Sequence, residues 1–97
     1  MKARILGKEP RPEPGKGFDF PCTVPVKAMG RAEEEFVDTV VAIVRRHAEV
    51  QRELVRTRES GSGKFLSVTV EVTFSSRGHM ERVYQDLHEH DDVLWTL

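Results

Sequence analysis

Apolar residues follow two different periods along the chain, and these periods alternate from residue 18 onwards. Over 18–29 and again over 66–74, apolar side chains alternate with polar or proline side chains, as Ser67 and Val68 illustrate. Because successive side chains of a strand point to opposite faces, both runs predict strands with one buried face. The 66–74 run is the clearest strand pattern in the sequence.

Two other segments place apolar residues three and four positions apart, which is the spacing of one helix face. They predict helices over 31–47 and 77–89. Gly30 is a candidate N-cap for the first helix, and Ser75 or Ser76 can cap the second.

Two weaker segments complete the pattern of elements. The segment 50–58 is rich in arginine and predicts an edge strand, where charge opposes aggregation. Residues 59–64 are small and polar and predict the following hairpin loop. The C-terminal residues 93–97 predict a last strand, with Val93, Trp95 and Leu97 facing one way.

The resulting order, strand–helix–strand–strand–helix–strand, predicts an α+β fold of the ferredoxin-like βαββαβ type. Its antiparallel sheet has the strand order 4-1-3-2, with both helices on one face. Since the first strand is then central and proline donates no hydrogen bond, we expect a bulge or a missing bond at Pro25. The predicted core consists of Phe20, Cys22, Val24, Val26, Phe36, Val40, Val44, Leu66, Val68, Val70, Val72, Met80, Val83 and Leu87.

Composition and charge restrict the classes of partner. The chain has 97 residues and a net charge of −1, so no overall basic field draws it to nucleic acid or to an anionic membrane. Residues 1–17 carry a net charge of +3 and almost no apolar content, which predicts a flexible tail ahead of a single domain at 18–97. Cys22 is the only cysteine, so no internal disulfide is possible and a reducing cytoplasm is expected. Its place on the apolar face of the first strand is interpreted as that of a small buried hydrophobe.

The polar face of the sheet is the first candidate for binding. The polar positions of the 66–74 strand carry no aromatic residue, as Ser67, Thr69 and Glu71 illustrate. This absence argues against RNA recognition by base stacking. A solvated or partner-covered face is the alternative. The run Arg52, Arg56 and Arg58, with Lys64, is a further candidate for binding an anion, and a solvated edge strand explains it as well. The candidate ligand or partner contacts are Thr23, Lys27, Ser67, Thr69, Arg56 and Lys64.

Three other motifs are weaker candidates for chemistry. The run from Gly61 to Lys64 lacks the glycine spacing, the hydroxyl residue and the following helix of a phosphate-binding loop. His47 and His79 are isolated and are expected to cap or line helix ends. The cluster His88, Glu89, His90, Asp91 and Asp92 contains metal-ligand types, but a polar helix terminus explains it as well.

The segments FPCTVPVKAMG and VDTVVAIVRRHA, with the later SGKFLSVTVEVTF and VYQDLHEHDDV, resemble the YbeD-like family of small bacterial proteins. The resemblance covers residues 18–97, and Pro25 departs from the family pattern. The matching positions are Phe20, Pro21, Cys22, Lys27, Met29, Gly30, His47, Gly63 and Ser67. The resemblance implies a ferredoxin-like fold close to the ACT regulatory domains, which bind small effectors, and it implies no known reaction.

Two hypotheses of different class follow from these patterns. The first is a non-enzymatic, ACT-like regulatory or protein-interaction module, with no cofactor, that binds a protein partner or a small effector. The second is a small metal-dependent protein or enzyme that uses the 88–92 cluster. For assembly we expect a monomer or a weak homodimer that pairs through the last strand or the sheet face.

Overall fold

A computed structural model describes residues 19–97, so the predicted tail at 1–17 lies outside the described residues. The elements are β1 (Cys22–Arg31), α1 (Phe36–Arg45), β2 (Arg56–Glu59), β3 (Phe65–Phe74), α2 (Arg77–Glu89) and β4 (Trp95–Thr96). The four strands form one antiparallel sheet in the order β2-β3-β1-β4, and both helices pack on the same face of it. The predicted class and strand order are confirmed.

The central pair of the sheet follows from the alternating sequence runs. β1 and β3 are paired without interruption from Cys22↔Phe74 to Arg31↔Phe65. On the helix side, Val26 and Val70 face each other and both are buried. Each buried valine of this kind contributes roughly 1.5–3 kcal/mol through removal of its apolar surface from water. The predicted face assignment is confirmed.

The expected bulge or missing bond at Pro25 is wrong. The register between β1 and β3 is constant through Pro25↔Glu71. Lys27 exchanges backbone hydrogen bonds with Leu97, on the β4 side of β1. Pro25 is two residues away and therefore points its nitrogen to the same side. Since β4 pairs with β1 only at Ala28 and Met29, the proline removes no bond from the ladder.

The first helix begins five residues later than predicted. Gly30 belongs to β1, and the helix begins at Phe36 after Glu35, whose side chain makes no capping hydrogen bond. A Cβ atom at position 30 would lie 2.4 Å from the Asp92 carbonyl oxygen and 2.5 Å from the Phe36 ring. The glycine therefore permits close packing at the end of the strand, and its predicted role as N-cap is wrong.

The predicted strand over 50–58 is divided into two parts. A single 3₁₀ turn occupies Arg52–Leu54, and β2 begins only at Arg56. All four residues of β2 are exposed and the strand lies at the edge of the sheet, as its charge predicted. Val50, ahead of the turn, is buried in the core.

The second helix has the predicted bounds. The Ser76 hydroxyl accepts a hydrogen bond of 3.1 Å from the backbone N–H of His79, which is the geometry of an N-cap. Met80, Val83 and Leu87 are buried on one helix face.

The core matches most of the predicted set. Phe20, Cys22, Val24 and Leu66 are only partly buried and pack against its margin. The buried core also contains residues that were not predicted for it: Ala28, Val41, Ile43, Val50, Phe74 and Val93. At the C-terminal end, Val93 precedes β4 and is buried, whereas Trp95 is paired with Met29 on the opposite face. The expectation that Val93 and Trp95 face the same way is therefore wrong.

Candidate interaction surface on the open sheet face

One face of the sheet is directed away from the helices, and we call it the open face. Strand alternation places the odd-numbered residues of β1 and β3 on it, and the registers add the side chains of Arg56, Arg58 and Trp95. Five of the six predicted contact residues lie on this face: Thr23, Lys27, Ser67, Thr69 and Arg56.

A cationic row crosses the middle of the open face. Thr69 is paired with Lys27 on one side and with Arg56 on the other. The Arg56 guanidinium donates to Glu71 at 3.4 Å, and both side chains are accessible enough for solvent to weaken this pair. Lys27 and Arg58 add two more positive charges to the face.

The two ends of the open face differ in chemistry. At one end, the hydroxyl oxygens of Thr23 and Thr73 are hydrogen-bonded at 2.7 Å. At the other end, the rings of Phe65 and Trp95 have centroids 6.0 Å apart and an angle of 49° between their planes. Met29 is next to Trp95 in register, and Arg31 is paired with Phe65, so this end of the face combines apolar side chains with one cation.

The aromatic pair was missed from the sequence because β3 begins one residue earlier than predicted. Phe65 thereby becomes part of the strand, and its odd position places it beside the polar residues. The Ser60 N–H donates to the Phe65 carbonyl oxygen at 2.9 Å, which extends the ladder to that residue. The polar positions of 66–74 carry no aromatic residue, as the sequence shows, but the face that they form also includes Phe65 and Trp95.

Lys64 is separate from the open face. It lies in the hairpin loop between β2 and β3, with an exposed side chain. Its N–H donates to the Ser62 hydroxyl at 3.3 Å, and its carbonyl oxygen accepts from Ala32 at 2.9 Å. Gly63 has a φ of 76°, in the left-handed region that favours glycine in a tight turn. The residues form a plain hairpin loop, as predicted.

The histidines of the 88–92 cluster have different partners. His88 Nε2 and the Thr96 hydroxyl are hydrogen-bonded at 2.8 Å, which links α2 to β4. His90 Nδ1 accepts from the Asp92 N–H at 3.1 Å. Within residues 19–97, no group of three or more His, Cys, Asp or Glu side chains is placed to hold a metal ion.

A second polar cluster joins the helix layer to the end of β3. Its two histidines lie at helix ends, as predicted, but the sequence did not predict that they meet. His47 Nε2 and an Asp86 carboxylate oxygen are 2.6 Å apart. His79 Nδ1 accepts from the backbone N–H of Ser75 at 3.0 Å, so the ring proton is on Nε2 and is donated to the His47 carbonyl oxygen at 2.7 Å. This cluster holds the ends of α1, β3 and α2 together.

The family model described as "Protein of unknown function (DUF493)" matches residues 16–97. This chain belongs to that family. A UPF0250 protein of Chromobacterium violaceum is 42% identical over 81 residues, which are 82% of this chain and 91% of the relative. A UPF0250 protein of Nitrosomonas europaea is 32% identical over 81 residues, again 82% of this chain and 93% of the relative. The resemblance to YbeD-like proteins is confirmed.

A solved structure supports the fold of this DUF493 member. The solution structure of protein HP0495 from H. pylori superposes with a TM-score of 0.67 at 18% identity, over 90% of this chain and 94% of that one. At this identity the likeness concerns the fold alone. Among residues 19–97, no helix is both long enough and apolar enough to cross a bilayer.

Proposed function

We propose that this chain is a non-enzymatic protein-interaction module whose partner binds the open face of the sheet. The observation that carries the proposal is the pair formed by Phe65 and Trp95, with ring centroids 6.0 Å apart at one end of a mainly polar face. Both rings are only partly buried among the described residues. Large aromatic side chains at the centre of a contact commonly supply most of the binding energy of an interface.

The charges around the aromatic pair define the kind of partner. Arg58 and Lys27 lie on the same face, and Glu71 offsets only Arg56. A partner with an apolar protrusion flanked by aspartate or glutamate would match this arrangement, because complementary charge accelerates encounter and excludes other partners. We propose that the ligand is an apolar protrusion of another protein that is flanked by acidic side chains.

A regulatory role is part of the proposal. The ferredoxin-like sheet with one helix-covered face is the arrangement that ACT-like domains use to respond to effectors, and this support is an analogy of fold. We place the interaction in the cytoplasm because Cys22 is the only cysteine and no disulfide is needed to complete the core.

The test is quantitative affinity capture from cells with the intact chain and matched variants. Trp95→Ala removes an aromatic anchor and Lys27→Glu reverses a charge on the open face. Arg82→Glu makes the same charge reversal on the exposed surface of α2 and serves as the control. A specific partner should be retained by Arg82→Glu and lost by Trp95→Ala, since an aromatic anchor typically contributes about 2 kcal/mol or more.

The affinities of the captured protein for all four chains then decide the proposal. An equal dissociation constant for the intact chain, Trp95→Ala and Lys27→Glu would contradict it. Binding of a small effector or an RNA oligonucleotide that depends on Trp95, without any protein partner, would show that the face serves another class of ligand.

A further inference from the structure

A groove lies beside the end of β3, away from the aromatic pair of the open face. β2 pairs with β3 only from Leu66 to Thr69, so β3 extends five residues beyond its neighbour. The space beside this extension is a groove of about 530 Å³, within the range of about 300–1,000 Å³ that binding clefts occupy. The wall opposite the strand is formed by the connection between α1 and β2. The residues that line the groove include Glu49, Gln51, Leu54, Glu71, Thr73 and His79.

The backbone of β3 presents hydrogen-bonding groups to this groove. The backbone of Lys27 bonds to Leu97, on the β4 side of β1, so the even-numbered residues of β1 point their backbone groups to β3. Through the register, the even-numbered residues of β3 point theirs to β1. The N–H and C=O groups of Glu71 and Thr73 therefore point to the other side, beyond the first residue of β2. Within residues 19–97, no strand pairs with them there.

The open stretch of edge is bounded at both ends. At one end, Arg56 is the last β2 residue paired with β3. At the other, His79 Nδ1 accepts the N–H of Ser75, so the next outward-facing donor is already satisfied. Two residues with four backbone groups remain, which is enough to pair with a short extended segment.

The side chains that line the groove define the chemistry of that segment. Glu49 and Glu71 supply two carboxylates, and the described lining contains no lysine or arginine. Arg56, which is not part of the lining, pairs with Glu71 at 3.4 Å, and solvent weakens this exposed pair, so an arriving cation competes with it at Glu71. Leu54 is 48% exposed and offers an apolar contact on the wall. We propose that the edge of β3 binds an extended, basic peptide segment of another protein by strand addition, with its cations beside Glu49 and Glu71 and an apolar side chain against Leu54. The groove borders the open face, because Glu71 and Thr73 belong to both, but it lies at the end of β3 away from Phe65 and Trp95.

The experiment is a titration of the isotope-labelled full chain with a short capped peptide of alternating arginine and valine residues. The expected result is a chemical-shift change centred on the Glu71 and Thr73 amides. Exchange of these amides with solvent should slow by about tenfold or more at saturation, because new hydrogen bonds protect them. A peptide methylated at the pairing backbone nitrogens, or one with glutamate in place of arginine, should bind much more weakly.

Two matched charge reversals test the role of the lining. Glu49→Lys should weaken the peptide by at least about threefold, which is the scale of one exposed ion pair. Glu53→Lys is the control, because Glu53 is an exposed residue of the same connection that does not line the groove. Trp95→Ala should leave peptide binding unchanged, so the result is independent of the open-face partner.

Three outcomes would overturn the inference. The first is a set of shifts confined to Phe65 and Trp95. The second is equal weakening by Glu49→Lys and Glu53→Lys. The third is a set of nuclear Overhauser contacts, in the free protein, between Thr73 and residues 1–18 or a second copy, since either would already occupy the edge.

Discussion

The ring of Phe36 packs against the backbone of Gly30, where a Cβ atom would lie 2.5 Å from the ring. On the same side, the Asp92 carbonyl oxygen would be 2.4 Å from that atom. The end of β1, the start of α1 and the turn before β4 therefore meet at a position with no room for a side chain.

Gly30→Ala should destabilise the protein by about 1–3 kcal/mol, because the backbone carbonyl of Asp92 cannot move aside as a flexible side chain would. Urea unfolding followed by circular dichroism measures this loss. Gly61→Ala is the matched control, since a Cβ at position 61 meets no atom within 4 Å. Equal unfolding free energies for the two variants would show that the close packing at Gly30 does not contribute.

Features of the fold that depend on neighbouring residues in the sequence could be predicted, whereas features that depend on distant residues could not. The strand of Val70 and the helix that begins after Ser76 were predicted correctly because alternation and capping are local signals. The start of α1 was not, since Gly30 resembles an N-cap locally and only the approach of Asp92 and Phe36 shows its role. These contacts join residues that are far apart in the sequence.

The same distinction applies to the residues of the open face. The alternation of side chains along a strand was sufficient to place Lys27 and Thr69 on one face, and the register confirms that they are neighbours. The contact of Phe65 with Trp95 depends on where β3 begins and on which strand lies next to β1, and neither is a local property. The open edge at Thr73 depends on the late start of β2, which begins only after the 3₁₀ turn.

The N-cap of α2 gives a second stability prediction. Ser76→Ala should lower the unfolding free energy by about 0.5–2 kcal/mol, because the N–H of His79 loses its acceptor at the helix end. Ser76→Asp keeps an acceptor oxygen at the same place and should restore most of the loss. Thermal or urea unfolding of the three chains measures the effect. A deficit in Ser76→Asp as large as that in Ser76→Ala would count against the cap.

The single tyrosine gives a prediction of pH dependence. Burial raises the pKa of Tyr84 above its usual value of 10.0, since the phenolate is poorly solvated among the core side chains. The folded state therefore holds the phenol proton more tightly than the unfolded state. Its contribution to stability is fully present below about pH 10 and is lost as the pH rises through the folded-state pKa.

Two measurements check the behaviour of Tyr84. A titration of phenolate absorbance should give a midpoint above that of the unfolded chain, and it has one source because the sequence contains one tyrosine. Unfolding free energies of the intact chain should fall more steeply above pH 10 than those of Tyr84→Phe. Parallel pH profiles for the two chains would mean that the phenol is as well solvated in the folded state as in the unfolded one.

The last prediction concerns self-association. β4 contains only two residues and lies at an edge, and Leu97, just after it, is 61% exposed. Such a short edge can pair with a second copy but offers few backbone hydrogen bonds. The open face mixes cations and hydroxyls with one aromatic pair, so it lacks the extensive apolar surface of obligate dimers. We expect a monomer at micromolar concentrations and a weak homodimer only at the highest concentrations. Sedimentation velocity across that range measures it, and Leu97→Asp and Thr69→Arg should each reduce the association. A tight dimer that both substitutions leave intact would place the contact on the helix layer instead.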